Sequence, residues 1–310
     1  MQLDVVVAFF LLGVCARLLR TEVRFPQGLH QTLTIFLMLA IGLKGGVALS
    51  QFGSWTLLWQ ALAVVVFGIV LPLLAFPLLH WVGGLQRTDA ASIAAHYGSV
   101  SVGTYAVAVA FLESRDIVYE AYFPLFVALL EMPAIVVGIA LARKGAGEWK
   151  LTTVLPEIAR SQGLFLMAGA MVIGALAGER AASLDPLFKD LFKGVLALFL
   201  LEMGLVAASR FGDLKTSGPF LSAFGVAMPL LGGGLGLLLG QALDLSSGGL
   251  VLMAVLGASA SYIAVPAAMR VALPDANHGL AITASLGITF PFNVLVGIPV
   301  FGVLAQQLAA

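Results

Sequence analysis

The chain has 310 residues, of which 60% are hydrophobic and only 10% charged, and its formal net charge is zero. Soluble domains carry about 25% charged residues, so the composition excludes an ordinary soluble fold and indicates a polytopic, all-α integral membrane protein bounded by lipid. Charge balance without a basic patch excludes a nucleic-acid partner, and Cys15, the single cysteine, allows neither an internal disulfide nor a thiolate metal set.

A membrane-crossing helix needs about 20 mostly apolar residues. On that measure ten spans are expected, near residues 3–19, 28–49, 56–81, 90–112, 117–142, 163–179, 190–209, 218–242, 247–271 and 278–306. The first lacks a basic leader and a small-residue cleavage site, so it is expected to be retained. Trp55, Trp59, Trp81 and Trp149 fall near span ends and read as interfacial anchors. The longest polar stretch, Arg143 to Gln162, divides the chain into a first half, 1–145, a central cytoplasmic loop, 146–162, and a second half, 163–310. Lys and Arg concentrate on one set of alternate loops, including Arg17, Arg20, Arg24, Arg87, Arg143, Lys144 and Arg210. That bias places the central loop inside and both termini outside.

The halves resemble each other. IGLKGGVALSQFG at Ile41–Gly53 answers MGLVAASRFG at Met203–Gly212, and GSVSVGT from Gly98 answers GASASYI from Gly257. Glu131-Met132-Pro133 answers Thr289-Phe290-Pro291, in the same order and at a near-constant offset. Five spans per half is an odd number, so the second copy enters the membrane inverted: a 5+5 inverted repeat.

Spans four and nine are each interrupted by glycines and hydroxyls, at Gly98–Thr104 and Gly257–Pro266. In hydrocarbon every backbone amide needs a partner, so such a break survives only inside protein or beside a cavity. Paired interruptions at corresponding positions point to a transporter binding site. Entering from opposite faces, the two discontinuous helices cross near the midplane. Half-helix N-termini there favour an anion, while unwound carbonyls favour a cation.

Candidate substrate-binding residues are Ser99, Ser101, Val102, Gly103 and Thr104 in the first break, and Ser259, Ala260, Ser261 and Tyr262 in the second. Their serines either hold a substrate or bond within their own helices. Lys44, Glu131 and Glu202 lie inside spans, where charge is costly and functional by default; a helix-bridging Lys–Glu pair is the structural alternative. His96 beside the first break reads either as a packing histidine or as a proton site. The turn Glu113-Ser114-Arg115-Asp116 is expected to be solvated. No P-loop or protease signature is present, so the chain reads as neither an ATP-driven pump nor an enzyme.

IGLKGGVAL, the run YGSVSVGTYAVAVAFLESRDIVYEAYFPLFVALLEMPAIV, MGLVAASRFGDL and the spacing from Ser261 through Pro266, Arg270 and Pro274 to Asn277 resemble the sodium-dependent bicarbonate transporters best known from cyanobacteria. The resemblance runs nearly end to end. It implies bicarbonate held at the crossing with sodium beside it and no other cofactor. It also implies a homotrimer in the inner membrane, with a scaffold of spans one, two, six and seven and a moving core of spans three to five and eight to ten. Carried over singly, Glu131, Ser101 and Ser259 are the sodium-side groups. A PII-like cytoplasmic partner belongs to the same picture, but Arg143–Gln162 is shorter than the family's central loop. The departures are specific: Tyr262 stands where the family has an aspartate, Ala260 replaces a serine, Lys44 replaces a threonine, and Val206 replaces a glutamate, with Glu202 one turn earlier. These suggest that Lys44 substitutes for sodium as the positive charge, titrates and couples to protons, or pairs with Glu202.

Overall fold

The computed structural model describes residues 4–23, 25–26, 28–51, 55–143, 162–212 and 214–309. The expected central loop therefore lies outside the described residues, except for Gln162. Helices α1 (Val5–Leu18), α2 (Leu29–Gln51) and α3 (Trp55–Pro77) open the chain. Two half-length helices follow, α4 (Arg87–Gly98) and α5 (Val102–Glu113), and then α6 (Phe123–Arg143). The second half contains α7 (Gln162–Ala177), α8 (Phe192–Ser209), α9 (Leu214–Ala242), α10 (Ser247–Ala258) and α11 (Ala264–Ala272). It ends in a long segment with π-type turns, α12 (His278–Leu308).

Among the described residues, eight helical segments are long and apolar enough to cross a membrane, counting α4 and α5 together. Two of the ten expected spans correspond to shorter apolar helices, Val5–Leu18 and Ser247–Ala258. Most span starts fall within three residues of the sequence reading, and one differs by more. The fifth span was expected from residue 117, but helix begins only at Phe123, after a loop in which Asp116 takes a positive φ of 54°. The loop residues carry hydrogen-bonding side chains that hold non-helical backbone, which hydropathy alone does not register.

Local chemistry sets the helix ends. Asp4 caps α1, its carboxylate accepting from the Val6 amide at 2.9 Å. Gly83 and Gly84, the latter at φ 64°, turn the chain after α3. Ser246 caps α10 by accepting from Gly249 N–H at 3.1 Å.

Helices α1 and α8 pack together, as do α2 and α7, while α3 lies on α4 and α6 and α9 on α10. The α2–α7 contact uses Gly42 and Gly46: a Cβ on Gly42 would sit 2.9 Å from Ala170 Cβ, and one on Gly46 2.8 Å from Met171 Cα. Small residues four apart let apolar helices approach backbone to backbone, where dispersion replaces the absent hydrophobic drive. The most deeply enclosed span is the broken one, Arg87–Glu113, whose apolar window is 94% buried. Protein surrounds the interruption on all sides.

Candidate functional site

The first break begins where α4 stops at Gly98. Ser99 is extended, and Ser101 is the N-cap of α5. Ser101 Oγ accepts from Thr104 N–H at 3.1 Å and from the Thr104 hydroxyl at 2.9 Å. The second break begins after Ala258, with Ser259 extended, and α11 resumes at Ala264. Ser259 Oγ donates back to Leu256 C=O at 3.1 Å and accepts from Ser101 N–H at 3.2 Å. Ser259 thus bonds both within its helix and across the breaks.

The two breaks clasp each other through His96 as well. Ser261 N–H donates to His96 C=O at 2.8 Å, and His96 Nδ1 lies 2.5 Å from Ser261 C=O. Asn293 on α12 donates through Nδ2 to Ala258 C=O at 2.7 Å, satisfying a carbonyl at the end of α10. Tyr97 is held by Thr289 at 2.7 Å, and Thr289 donates to Gly225 C=O. The C-terminal ends of α4 and α10 and the N-terminal ends of α5 and α11 therefore meet. Opposite partial charges from four half-helix ends converge in one place.

All nine expected substrate residues lie in this assembly. Ser99, Ser101, Val102, Gly103, Thr104, Ser259, Ala260 and Ser261 are buried, and Tyr262 is partly so. The Tyr262 hydroxyl closes over Gly103, where a Cβ would lie 2.5 Å from Tyr262 Oη and 2.7 Å from Phe199 Cε1. Among the described residues His96 Nε2, Ser99 Oγ and Tyr262 Oη are buried without a hydrogen-bond partner of good geometry, although Tyr262 Oη lies near Ser101.

The charged candidates are distributed differently. Glu131 is 2% exposed, and its Oε2 has no hydrogen-bond partner. Its other oxygen lies 4.0 Å from the position of a Cβ on Gly163, and no hydrogen bond among the described residues joins it to Ser101 or Ser259. Ser101 and Ser259 are brought together by the Ser101 N–H to Ser259 Oγ contact. Lys44 and Glu202 do not pair. The Lys44 ammonium donates to Glu113 at 2.9 Å and to Tyr119 at 2.6 Å, while Glu202 lies 3.4 Å from His30 Nδ1. The turn expected to be solvated is exposed at Ser114, Arg115 and Asp116, and Glu113 at its head, 33% exposed, also forms an ion pair. Helix packing puts the end of α5 opposite the middle of α2, so the Glu113 carboxylate comes within reach of the ammonium. Burial pushes the Tyr119 phenol upward from its ordinary value, against the pull of Lys44. It stays protonated and donates to Glu113 at 3.1 Å.

A cavity of about 530 Å³ lies beside this pair, with Lys44, Tyr105, Val109, Glu113 and Tyr119 among its walls. It reaches α5 at Tyr105, the residue after Thr104. Sequence reasoning missed Phe199, Asn293 and His30. Phe199 and Asn293 look like ordinary span residues, and only the helix facing Gly103 or the end of α10 reveals them. An intramembrane asparagine was the one available signal.

Among curated proteins none matches the chain significantly. A family pattern for Na+-dependent bicarbonate transporters covers residues 5–306, which is nearly the whole chain, including both breaks, Lys44, Glu131 and Glu202. The chain therefore belongs to the Na+-dependent bicarbonate transporter superfamily.

Proposed function

We propose that this chain is a secondary transporter that takes up bicarbonate, with sodium as coupling ion, by alternating access across the inner membrane. The observation that carries the reading is the mutual clasp of the two breaks, Ser261 N–H to His96 C=O and Ser101 N–H to Ser259 Oγ. A clasped pair of breaks places helix-end dipoles and hydroxyls around one enclosed point, which suits a small anion better than a continuous pore.

Ten passes in a 5+5 inverted arrangement account for two further regularities. The loop after α5 caps the start of α10, Glu120 accepting from Ser246 N–H at 2.6 Å. The loop after α11 likewise meets the start of α4, with the roles exchanged: Asp89 on the helix accepts from Asn277 N–H in the loop at 2.7 Å. Likewise α1 on α8 and α2 on α7 exchange under a swap of halves, as expected of scaffold spans one, two, six and seven. The remaining helices, with both breaks, form the moving core. Both termini lie outside, and the cavity between α2 and α5 is the path from that side toward Thr104.

Sodium coupling rests on the family together with the Ser101–Ser259 contact and the buried Glu131 carboxylate. Tyr262 is the departure that bears on it most directly, because a phenol offers a cation one neutral oxygen where a carboxylate offers two charged ones. The deciding experiment is labelled-bicarbonate uptake into proteoliposomes at fixed pH, in sodium and in choline, with Ser101→Ala as control. Sodium-dependent uptake lost in Ser101→Ala supports the whole reading. Equal uptake in both salts retains transport and removes the coupling, and no uptake in either overturns the proposal.

A further inference from the structure

We infer that His96 is a specificity-determining residue, whose Nε2 accepts the hydroxyl hydrogen of an oxyanion held between the two breaks. The inference rests on the transport reading above and deepens it. It commits the site to hydrogen-bearing oxyanions, bicarbonate among them, over bare anions of the same charge and shape.

The argument starts from the tautomer. His96 is 0% exposed, and Nδ1 lies 2.5 Å from Ser261 C=O. A carbonyl only accepts, so Nδ1 carries a hydrogen. The partner is neutral, and burying an imidazolium without a counter-charge is costly. The ring is therefore neutral, and Nε2 is left with a lone pair and no hydrogen. That nitrogen is buried and has no partner among the described residues. A buried acceptor that no protein group satisfies calls for an explanation, and binding a ligand is one.

Its surroundings supply the rest. His96 lies two residues before Gly98, and its main-chain carbonyl holds the second break. At the same crossing Ser99 Oγ is also buried without a partner, and Tyr262 Oη lies beside Ser101. Both are hydroxyls and can turn their hydrogens toward an anion. These hydroxyls and the N-terminal ends of α5 and α11 supply donors. The pinned imidazole supplies an acceptor that cannot switch roles.

Bicarbonate and nitrate are both planar, three-oxygen monoanions, but only bicarbonate carries an O–H. Donors serve both anions alike. An obligatory acceptor serves bicarbonate and presents nitrate with lone pair against lone pair. Sites that hydrogen-bond a substrate hydroxyl reject analogues lacking it strongly, because the site's own group is then left unpaired.

The test uses full-length protein in proteoliposomes and inhibition of labelled-bicarbonate uptake by unlabelled bicarbonate and by nitrate, at fixed pH and early times. In the wild type nitrate inhibits at least about tenfold more weakly than bicarbonate; equal inhibition overturns the inference and requires no variant. His96→Asn keeps an amide donor at the Nδ1 position for Ser261 C=O but places nothing at Nε2. It weakens bicarbonate by about tenfold or more while nitrate inhibition holds or improves. Tyr262→Phe, which removes a donor, weakens both and leaves their ratio unchanged. A His96→Asn protein in which both anions weaken equally, or neither changes, assigns His96 to packing and overturns the inference alone. Absence of bicarbonate uptake by the wild type removes the transport reading and this inference together.

Discussion

Replacing Gly103 by alanine tests the closed geometry of the crossing most directly. The added Cβ falls 2.5 Å from Tyr262 Oη and 2.7 Å from Phe199 Cε1, whereas carbon atoms rest at about 3.5–4.0 Å. Neither neighbour is a loose end. Phe199 is 1% exposed and stacked on His30 at 5.9 Å, and Tyr262 packs edge-on against Phe290 at 5.4 Å. Overpacking of this kind costs about 1–3 kcal/mol, and alanine returns at most about 1 kcal/mol of helix propensity in the first turn of α5. Gly103→Ala is therefore destabilised by about 1–2 kcal/mol, and Gly103→Ala with Phe199→Leu recovers part of that loss. The assay is the denaturation midpoint in mixed micelles, followed by tryptophan fluorescence for wild type, both single variants and the double. Residues in contact couple by about 0.5–3 kcal/mol. Additive effects, or a Gly103→Ala protein more stable than the wild type, would refute the packing of Tyr262 and Phe199 on Gly103.

Two other substitutions separate stability from function. Glu131→Gln removes the charge from a buried carboxylate whose Oε2 has no partner; it raises the denaturation midpoint and abolishes any sodium dependence of uptake, and a lowered midpoint would contradict the absence of a partner. Lys44 and Glu113 are 53% and 33% exposed, so Lys44→Met costs less than about 1 kcal/mol. A loss of several kcal/mol in the same unfolding assay would mean that the pair is shielded from water far more than its exposure indicates.

Several features of the fold were legible along the chain. The apolar runs gave the membrane class, and among the described residues eight of them appear as helices long enough to cross. The interruptions were legible too, at Gly98–Ser101 and at Ser259–Ile263. A helix that stops inside hydrocarbon must offer its amides substitute partners, and serine, threonine and glycine at those positions mark where it does so. The start of α6 was not legible: Ile117–Tyr122 contains enough apolar residues to pass as helix by hydropathy. The partner of Lys44 was not legible either: Glu202 was one alternative, and Glu113, read as part of a turn, is the carboxylate that packing brings to it.

By itself, then, the sequence determined what each helix is: its length, its apolarity, its break and the polar groups that the break exposes. These are properties of one segment against its solvent, and the bilayer's demand for internal hydrogen bonds writes them into composition. Tertiary structure alone decided which atoms meet. It set His96 opposite Ser261, Phe199 against Gly103, Asn293 on the end of α10 and Glu113 beside Lys44. Such pairings depend on the depth and rotation of helices whose surfaces are nearly uniformly apolar, and close packing of small residues fixes both only once the helices are assembled.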